Sequence, residues 1–309
     1  TSLGLNPYIN CQGFARMGML TVLVGAVANI VLDPIFIFAL GMGVSGAAVA
    51  TVLSQLLSAL WVLRFLTGPK AELRLHFRAF RPDFGCIRRI AALGTSSFVM
   101  SFTDSMVQMA CNATLRTFGG DIYISVMTVI NSVRQIAQTP VMAISDGASP
   151  AISFNYGAHA YGRVRAAIRF MTQLGFGYTL LIWALVSAFP AAFIMIFNHD
   201  AELVATAVPA LHIYFFGFVM MAFQFSGQCV FKSLNRAGLA IFFSLLRKAF
   251  IVVPLTLLLP HIGGLGVNGV FLAEPVSNCV GGLACYLTMR RTVMPALRSR
   301  GQAGAQGIS

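Results

Sequence analysis

Polar and apolar positions along this chain are sorted into long blocks and are not interleaved. No Asp, Glu, Lys or Arg occurs in 34–63, 170–199 or 203–231. A helix needs about 20 mostly apolar residues to cross a hydrocarbon core. The pattern predicts eight such helices, at 18–40, 44–66, 90–114, 122–145, 168–190, 206–231, 239–260 and 265–289. Gly and Pro punctuate the junctions, as at Gly41-Met42-Gly43 and Pro260-His261-Ile262-Gly263-Gly264. The predicted fold class is all-α integral membrane, a polytopic transmembrane helix bundle.

Composition excludes a soluble reading. Apolar residues make up 57% of the 309, charged residues only 10%, and mean hydropathy is +0.80. Soluble domains carry about 25% charged residues. A water-soluble core of this size would lack a polar shell, whereas lipid accepts apolar surface on the outside.

The net charge of +12 raises nucleic acid as a partner, but its placement points elsewhere. Alternating sides from residue 18 puts 17 of the 21 basic residues on one face, among them Arg16, Lys70, Arg74, Arg78, Arg81, Arg163, Arg236 and Arg291. Arg116 falls on the other face; Arg134, Arg247 and Lys248 fall within spans. This is the positive-inside pattern. It predicts a multi-pass protein of the plasma (inner) membrane with a cytoplasmic C-terminus, basic loops against lipid headgroups, and no nucleic-acid partner. The six Cys and five His show no metal-ligand spacing and read as packing residues. No metal or cofactor is expected.

The chain also repeats itself. A shift of 220 residues carries Arg16-Met17-Gly18-Met19 onto Arg236-Ala237-Gly238-Leu239, and Pro34 onto Pro254. Three residues later in register, Gly43-Val44-Ser45-Gly46 matches Gly266-Val267-Asn268-Gly269. Both copies start on the same side, so the duplication is parallel, a plan common in transporters. The segment between the copies lacks an upstream counterpart, which predicts that an N-terminal portion precedes this chain.

These residues resemble the multidrug and toxic compound extrusion (MATE) transporters. Asn29-Ile30-Val31-Leu32-Asp33-Pro34-Ile35-Phe36 is similar to that family's fifth helix. Gly43-Val44-Ser45-Gly46-Ala47-Ala48 with Ser54-Gln55 is similar to its sixth. Ser149-Pro150-Ala151-Ile152-Ser153-Phe154-Asn155-Tyr156-Gly157 with Arg163-Val164 is similar to the loop joining its eighth and ninth. The resemblance implies two pseudo-symmetric six-helix lobes, the first truncated here. On this plan 1–66 ends the first lobe, 67–89 is a basic inter-lobe loop, 90–290 is the second lobe, and 291–309 is a cytoplasmic tail.

An intramembrane charge costs about 2.5–3.5 kcal/mol on insertion scales, so such residues are functional candidates. Asp33, about 20 Å into its helix, has Asn29 one turn before it and Pro34 after it. It is either a proton or substrate site or a structural Asp on the outer turn. Asp104 and Gln108 form a polar stripe at helical spacing, and Asn131, Arg134 and Gln138 form a second on the next, antiparallel helix. Asp104 and Arg134 sit at similar depth, so an ion pair between them is expected. Gln224 and Gln228 lie one turn apart; the resemblance implies a carboxylate on this helix in some members, and 203–231 has none, which favours a proton over sodium. Glu274 is a lobe-lining candidate, with Arg247 as a speculative partner. Arg247 and Lys248 fall nearer the cytoplasmic face, where long basic side chains can snorkel. Asp146 reads as a cap at a helix end. Pro34, Pro254 and Pro275 are hinge candidates.

Taken with the resemblance, these features predict a secondary antiporter, monomeric as a transporter. It would export amphipathic organic cations, drugs included, by alternating access, with H+ or Na+ as the coupling ion. No GxxxxGK[ST] loop is present to bind ATP. A lipid-linked oligosaccharide flippase of the same superfamily is the alternative. A membrane-embedded enzyme is a weaker one, since no cluster of His, Cys or paired carboxylates is seen.

Overall fold

The computed structural model describes residues 2–69, 71–72, 83–262 and 264–306. Lys70, Arg74, Arg78 and Arg81 of the basic stretch lie outside the described residues. Among the described residues the chain is helical throughout, with turns and no strand. It is a polytopic membrane bundle. It divides into two compact units, Thr1–Phe84 and Gly85–Ser309.

The first unit holds α1 (Ser2–Cys11), α2 (Ala15–Pro34) and α3 (Gly43–Thr67). Small residues let α2 and α3 approach closely, as membrane helices require where lipid supplies no hydrophobic drive for association. A methyl group on Gly25 would lie 2.3 Å from the Ser58 hydroxyl oxygen. Ser58 Oγ in turn donates to the Thr21 carbonyl at 3.0 Å. After Pro34 the helix widens into a π turn over Ile35–Ala39. Ala15–Ala39 and Gly43–Thr67 are each long and apolar enough to cross a membrane.

The second unit begins with α4 (Phe84–Gly157), two helices joined at Gly120, whose φ of 73° and ψ of −169° only glycine adopts without strain. Its arms fold back as a hairpin, since Gln108 on the first meets Asn131 on the second. The second arm was predicted to stop at 145. It runs on through Asp146 and Pro150 to Gly157, so Asp146 caps nothing. Next come α5 (Tyr161–Ala188), α6 (Pro190–Met195), α7 (Ala201–Phe215) and α8 (Met221–Ser233). The predicted single span 206–231 is α7 and α8, bent by 42°. The cause is visible at Gly217, where a Cβ would fall 2.6 Å from the Cα and the carbonyl oxygen of Pro275. The bend lets two backbones touch.

The next span is built in pieces: α9 (Ala237–Leu245), a π turn over Leu246–Val252, α10 (Val253–Leu258) and a 3-10 turn over Leu259–His261. α11 (Val267–Gln306) then runs unbroken through the hinge candidate Pro275. The stretch from 291, expected as a tail, continues this helix, and Val293 and Leu297 are buried in an apolar cluster with Ile168, Phe231 and Met289. Among the described residues, five helices meet the length and apolarity of a membrane span, or six with the bent pair. The two arms of α4 are long enough but carry the polar stripes.

The duplication is visible in the backbone. A shift of 223 residues takes Gly41, Gly43 and Gly46 onto Gly264, Gly266 and Gly269. The first two of each set have positive φ, 64° and 55° in one copy and 72° and 48° in the other. At the third, an added Cβ would lie 2.6 Å from the Phe36 carbonyl oxygen, or 2.7 Å from the Leu259 carbonyl carbon. The repeat is thus a tight turn followed by a helix seated on the end of its predecessor. Around Pro34 and Pro254 the copies diverge: one π turn follows its proline and the other precedes it.

Because backbone cannot yield as a flexible side chain can, Gly269→Ala should destabilise the protein by about 1–3 kcal/mol. Thermal unfolding followed by size-exclusion chromatography checks this. Gly238→Ala, with open space around the new methyl group, should leave the melt unchanged.

A charged cleft in the second unit

The second unit encloses a cleft of about 350 Å³, within the range of small-molecule sites. Several elements of the unit line it. The first arm of α4 contributes Asp104 and Gln108. The second contributes Asn131, Arg134, Gln138 and Asp146. Gln224 and Gln228 come from α8, and Glu274 from α11. The π turn adds Arg247 and Lys248.

The polar stripes of α4 meet as expected from their spacing. Asn131 Nδ2 donates to Gln108 Oε1 at 3.2 Å. The expected Asp104–Arg134 pair does not form. Both side chains line the cleft, but each has another partner. Asp104 pairs with Lys248, and Arg134 Nη1 lies 3.3 Å from Glu274 Oε1. The reason is α11, which carries a carboxylate to Arg134, while the π turn carries an ammonium to Asp104.

Arg247 and Lys248 do not snorkel. Arg247 is buried, and its Nη1 donates to Glu274 Oε1 at 2.9 Å and to Asn278 Oδ1 at 2.7 Å. Ser277 Oγ donates to the Arg247 carbonyl at 3.0 Å. Gly281 completes the seat: a Cβ there would lie 2.9 Å from Arg247 Cγ. Glu274, Asn278 and Gly281 fall at i, i+4 and i+7, one face of α11. The Arg247–Glu274 pair raised from the sequence forms; sequence reasoning missed the rest of the seat, Ser277, Asn278 and Gly281, although the spacing was there to read. The π turn helps, because in it the Val253 amide reaches back five residues to the Lys248 carbonyl. Such turns occur mostly as single insertions, often at functional sites.

Gln224 and Gln228 are both buried and face the cleft. Asn29, Asp33 and Pro34 belong to the first unit, where Asn29 Nδ2 donates to Asp33 Oδ1 at 3.2 Å. Pro254 sits in α10, next to the π turn.

Comparison with known proteins gives this fold a family. A family model described as MatE matches residues 96–258, more than half of the chain. The Multidrug export protein MepA of Staphylococcus aureus strain MSSA476 is 22% identical over 291 residues, 93% of this chain and 63% of that protein. The same-named protein of Staphylococcus haemolyticus strain JCSC1435 is 26% identical over 152 residues, 49% of this chain and 33% of its own. Among solved structures, an outward-facing multidrug resistance MATE family transporter of the MOP superfamily matches with a TM-score of 0.87 and 23% identity, over 96% of this chain and 66% of that one. A MOP superfamily transporter from Pyrococcus furiosus matches with a TM-score of 0.86 and 23% identity, over 93% and 64%. The chain spans less than two thirds of the length of the Staphylococcus aureus relative and about two thirds of the two solved structures. With the helix order, the repeated glycine turns and the matched family model in agreement, the chain belongs to the MATE family of transporters.

Proposed function

We propose that the protein exports drug-like amphipathic organic cations across the plasma membrane, as a secondary antiporter with a proton as the coupling ion. The carrying observation is the cleft itself. Within apolar spans the cleft holds two ion-paired groups, Glu274 with Arg134 and Arg247, and Asp104 with Lys248, where charge is costly and so retained for use. The relatives named as multidrug export proteins support the substrate class.

Asp104 is the natural exchange site. Its side chain is 55% exposed to the cleft and is held by Lys248 alone among the ion pairs of the described residues. Protonation of Asp104 releases Lys248, and an arriving organic cation competes for the same carboxylate. A ligand shifts the transport cycle only through its different affinity for the two states, and this competition supplies the difference. The absence of a carboxylate from 203–231 favours the proton over sodium. The cleft mixes four basic and three acidic side chains, which fits this reading better than a pyrophosphate-carrying flippase. The C-terminus faces the cytoplasm on this reading, the working unit is a monomer, and membrane lipids surround it.

Cells expressing the full-length protein should accumulate several-fold less of a fluorescent cationic dye, consistent with a coupling of about 1–3 kcal/mol, and a protonophore should abolish the difference. Unchanged accumulation would sink the export reading. Export driven by a sodium gradient alone would replace the proton.

A further inference from the structure

We infer that the cleft also binds the carboxylate of a zwitterionic solute, at Arg134 and Arg247. The inference rests on the reading of this cleft as the solute site, and it narrows the class of solute.

The first observation is charge. Arg134, Lys232, Arg247 and Lys248 line the cleft against Asp104, Asp146 and Glu274, which leaves one cation in excess. The excess is local. Arg134 and Arg247 both approach the same oxygen, Oε1 of Glu274, and one carboxylate cannot neutralise two guanidinium groups. Arg247 and Glu274 are buried. A buried charge without a counter-charge costs several kcal/mol, so a compensating anion is expected there.

The second observation is independent of charge. Among the described residues, eight buried side-chain polar atoms have no hydrogen-bond partner. Six of them belong to residues that line this cleft: Asn131 Oδ1, Arg134 Nε, Gln224 Nε2 and Oε1, Ser244 Oγ and Arg247 Nε. Buried polar atoms are almost always paired, so such a concentration marks a place that a ligand or water fills. Gln224 is 4% exposed, and both ends of its amide are unpaired. Four of the six are donors, two guanidinium Nε–H groups, an amide N–H and a hydroxyl; the two amide oxygens accept and pair with water. Water would satisfy the amide and the hydroxyl but would leave the excess charge in place. A carboxylate answers both, taking paired charge-assisted hydrogen bonds from guanidinium. The cationic end of a zwitterion is then free to compete for Asp104.

The test uses a rhodamine with a free carboxylate and its methyl ester, two dyes that differ in that group alone. Displaceable binding to the purified full-length protein in neutral maltoside micelles is followed by fluorescence polarisation. The free-carboxylate dye should bind about tenfold more tightly than the ester, the value of one charge-assisted contact. Arg134→Gln, which leaves Glu274 paired with Arg247, should remove the preference, and Arg134→Lys should retain part of it. Equal binding of the two dyes to the unmodified protein, or tighter binding of the ester, would overturn the inference, and that comparison needs no variant to fold. A preference that survives Arg134→Gln would also overturn it. Loss of dye export from cells with the binding preference intact would instead count against the transport reading alone.

Discussion

Glu274→Gln should cost the protein more stability than any other single change in the cleft. The carboxylate accepts from Arg247 at 2.9 Å and lies 3.3 Å from Arg134 Nη1, and only 8% of its side chain is exposed. Glutamine keeps the shape but loses the charge. Two guanidinium groups are then left facing one another in a poorly solvated site. Breaking a buried pair by removing one partner costs about 3–5 kcal/mol, and here a single carboxylate serves two cations. The expected result is a large fall in the yield of monodisperse protein and an early heat-induced loss of the size-exclusion peak. Replacing all three groups at once with apolar residues of similar volume should recover much of the loss, because the desolvation cost goes with the charges. A Glu274→Gln protein that melts with the unmodified one would show that the cluster is well hydrated, and would remove the case for a costly buried charge.

Asp104→Asn should do the reverse, leaving stability nearly untouched and suppressing export. Its carboxylate is more than half exposed, and pairs in such settings contribute about 0–1 kcal/mol. Yield and melting should therefore stay close to those of the unmodified protein. Export should drop by on the order of 5- to 150-fold, the range of a typical coupling free energy, because asparagine neither takes up a proton nor attracts a cation. Asp33→Asn is the matching change in the first unit, where Asn29 already holds the carboxylate at 3.2 Å. If both variants export the dye at full rate, neither residue couples transport to the gradient.

The architecture was readable in the sequence because its signals repeat over long distances. Uncharged runs mark helices whichever way they turn, and the glycines at 43 and 46 recur at 266 and 269 for a backbone reason, positive φ and close approach. The polar stripe of α4 was readable too, since Gln108 and Asn131 lie on regular helix on either side of a two-glycine turn. Pairing across separate helices was readable only in part: Arg247 with Glu274 forms as raised from the sequence, and Asp104 with Arg134 does not. Arg134 finds a partner 140 residues away, and nothing in local spacing selects Glu274 over Asp104. Helix ends were the other weakness. Asp146, Gly147 and Pro150 read as a stop, yet the helix passes through all three. Arg247 and Lys248 turn inward to carboxylates and do not snorkel, because they stand in a π turn between α9 and α10.

That segment has a consequence for how such chains diverge. The π turn over Leu246–Val252 holds one residue more than an α turn does. Loss of any one residue there lets the helix close into ordinary α geometry without stretching its neighbours. The helices on either side keep their faces, and the side chains within the widened turn take new directions. Arg247 and Lys248 stand inside this stretch, so a gap of one residue suffices to swing a guanidinium or an ammonium out of the cleft. In this chain the loss of a single codon is thus equivalent to a change of charge at the site, with no substitution at all.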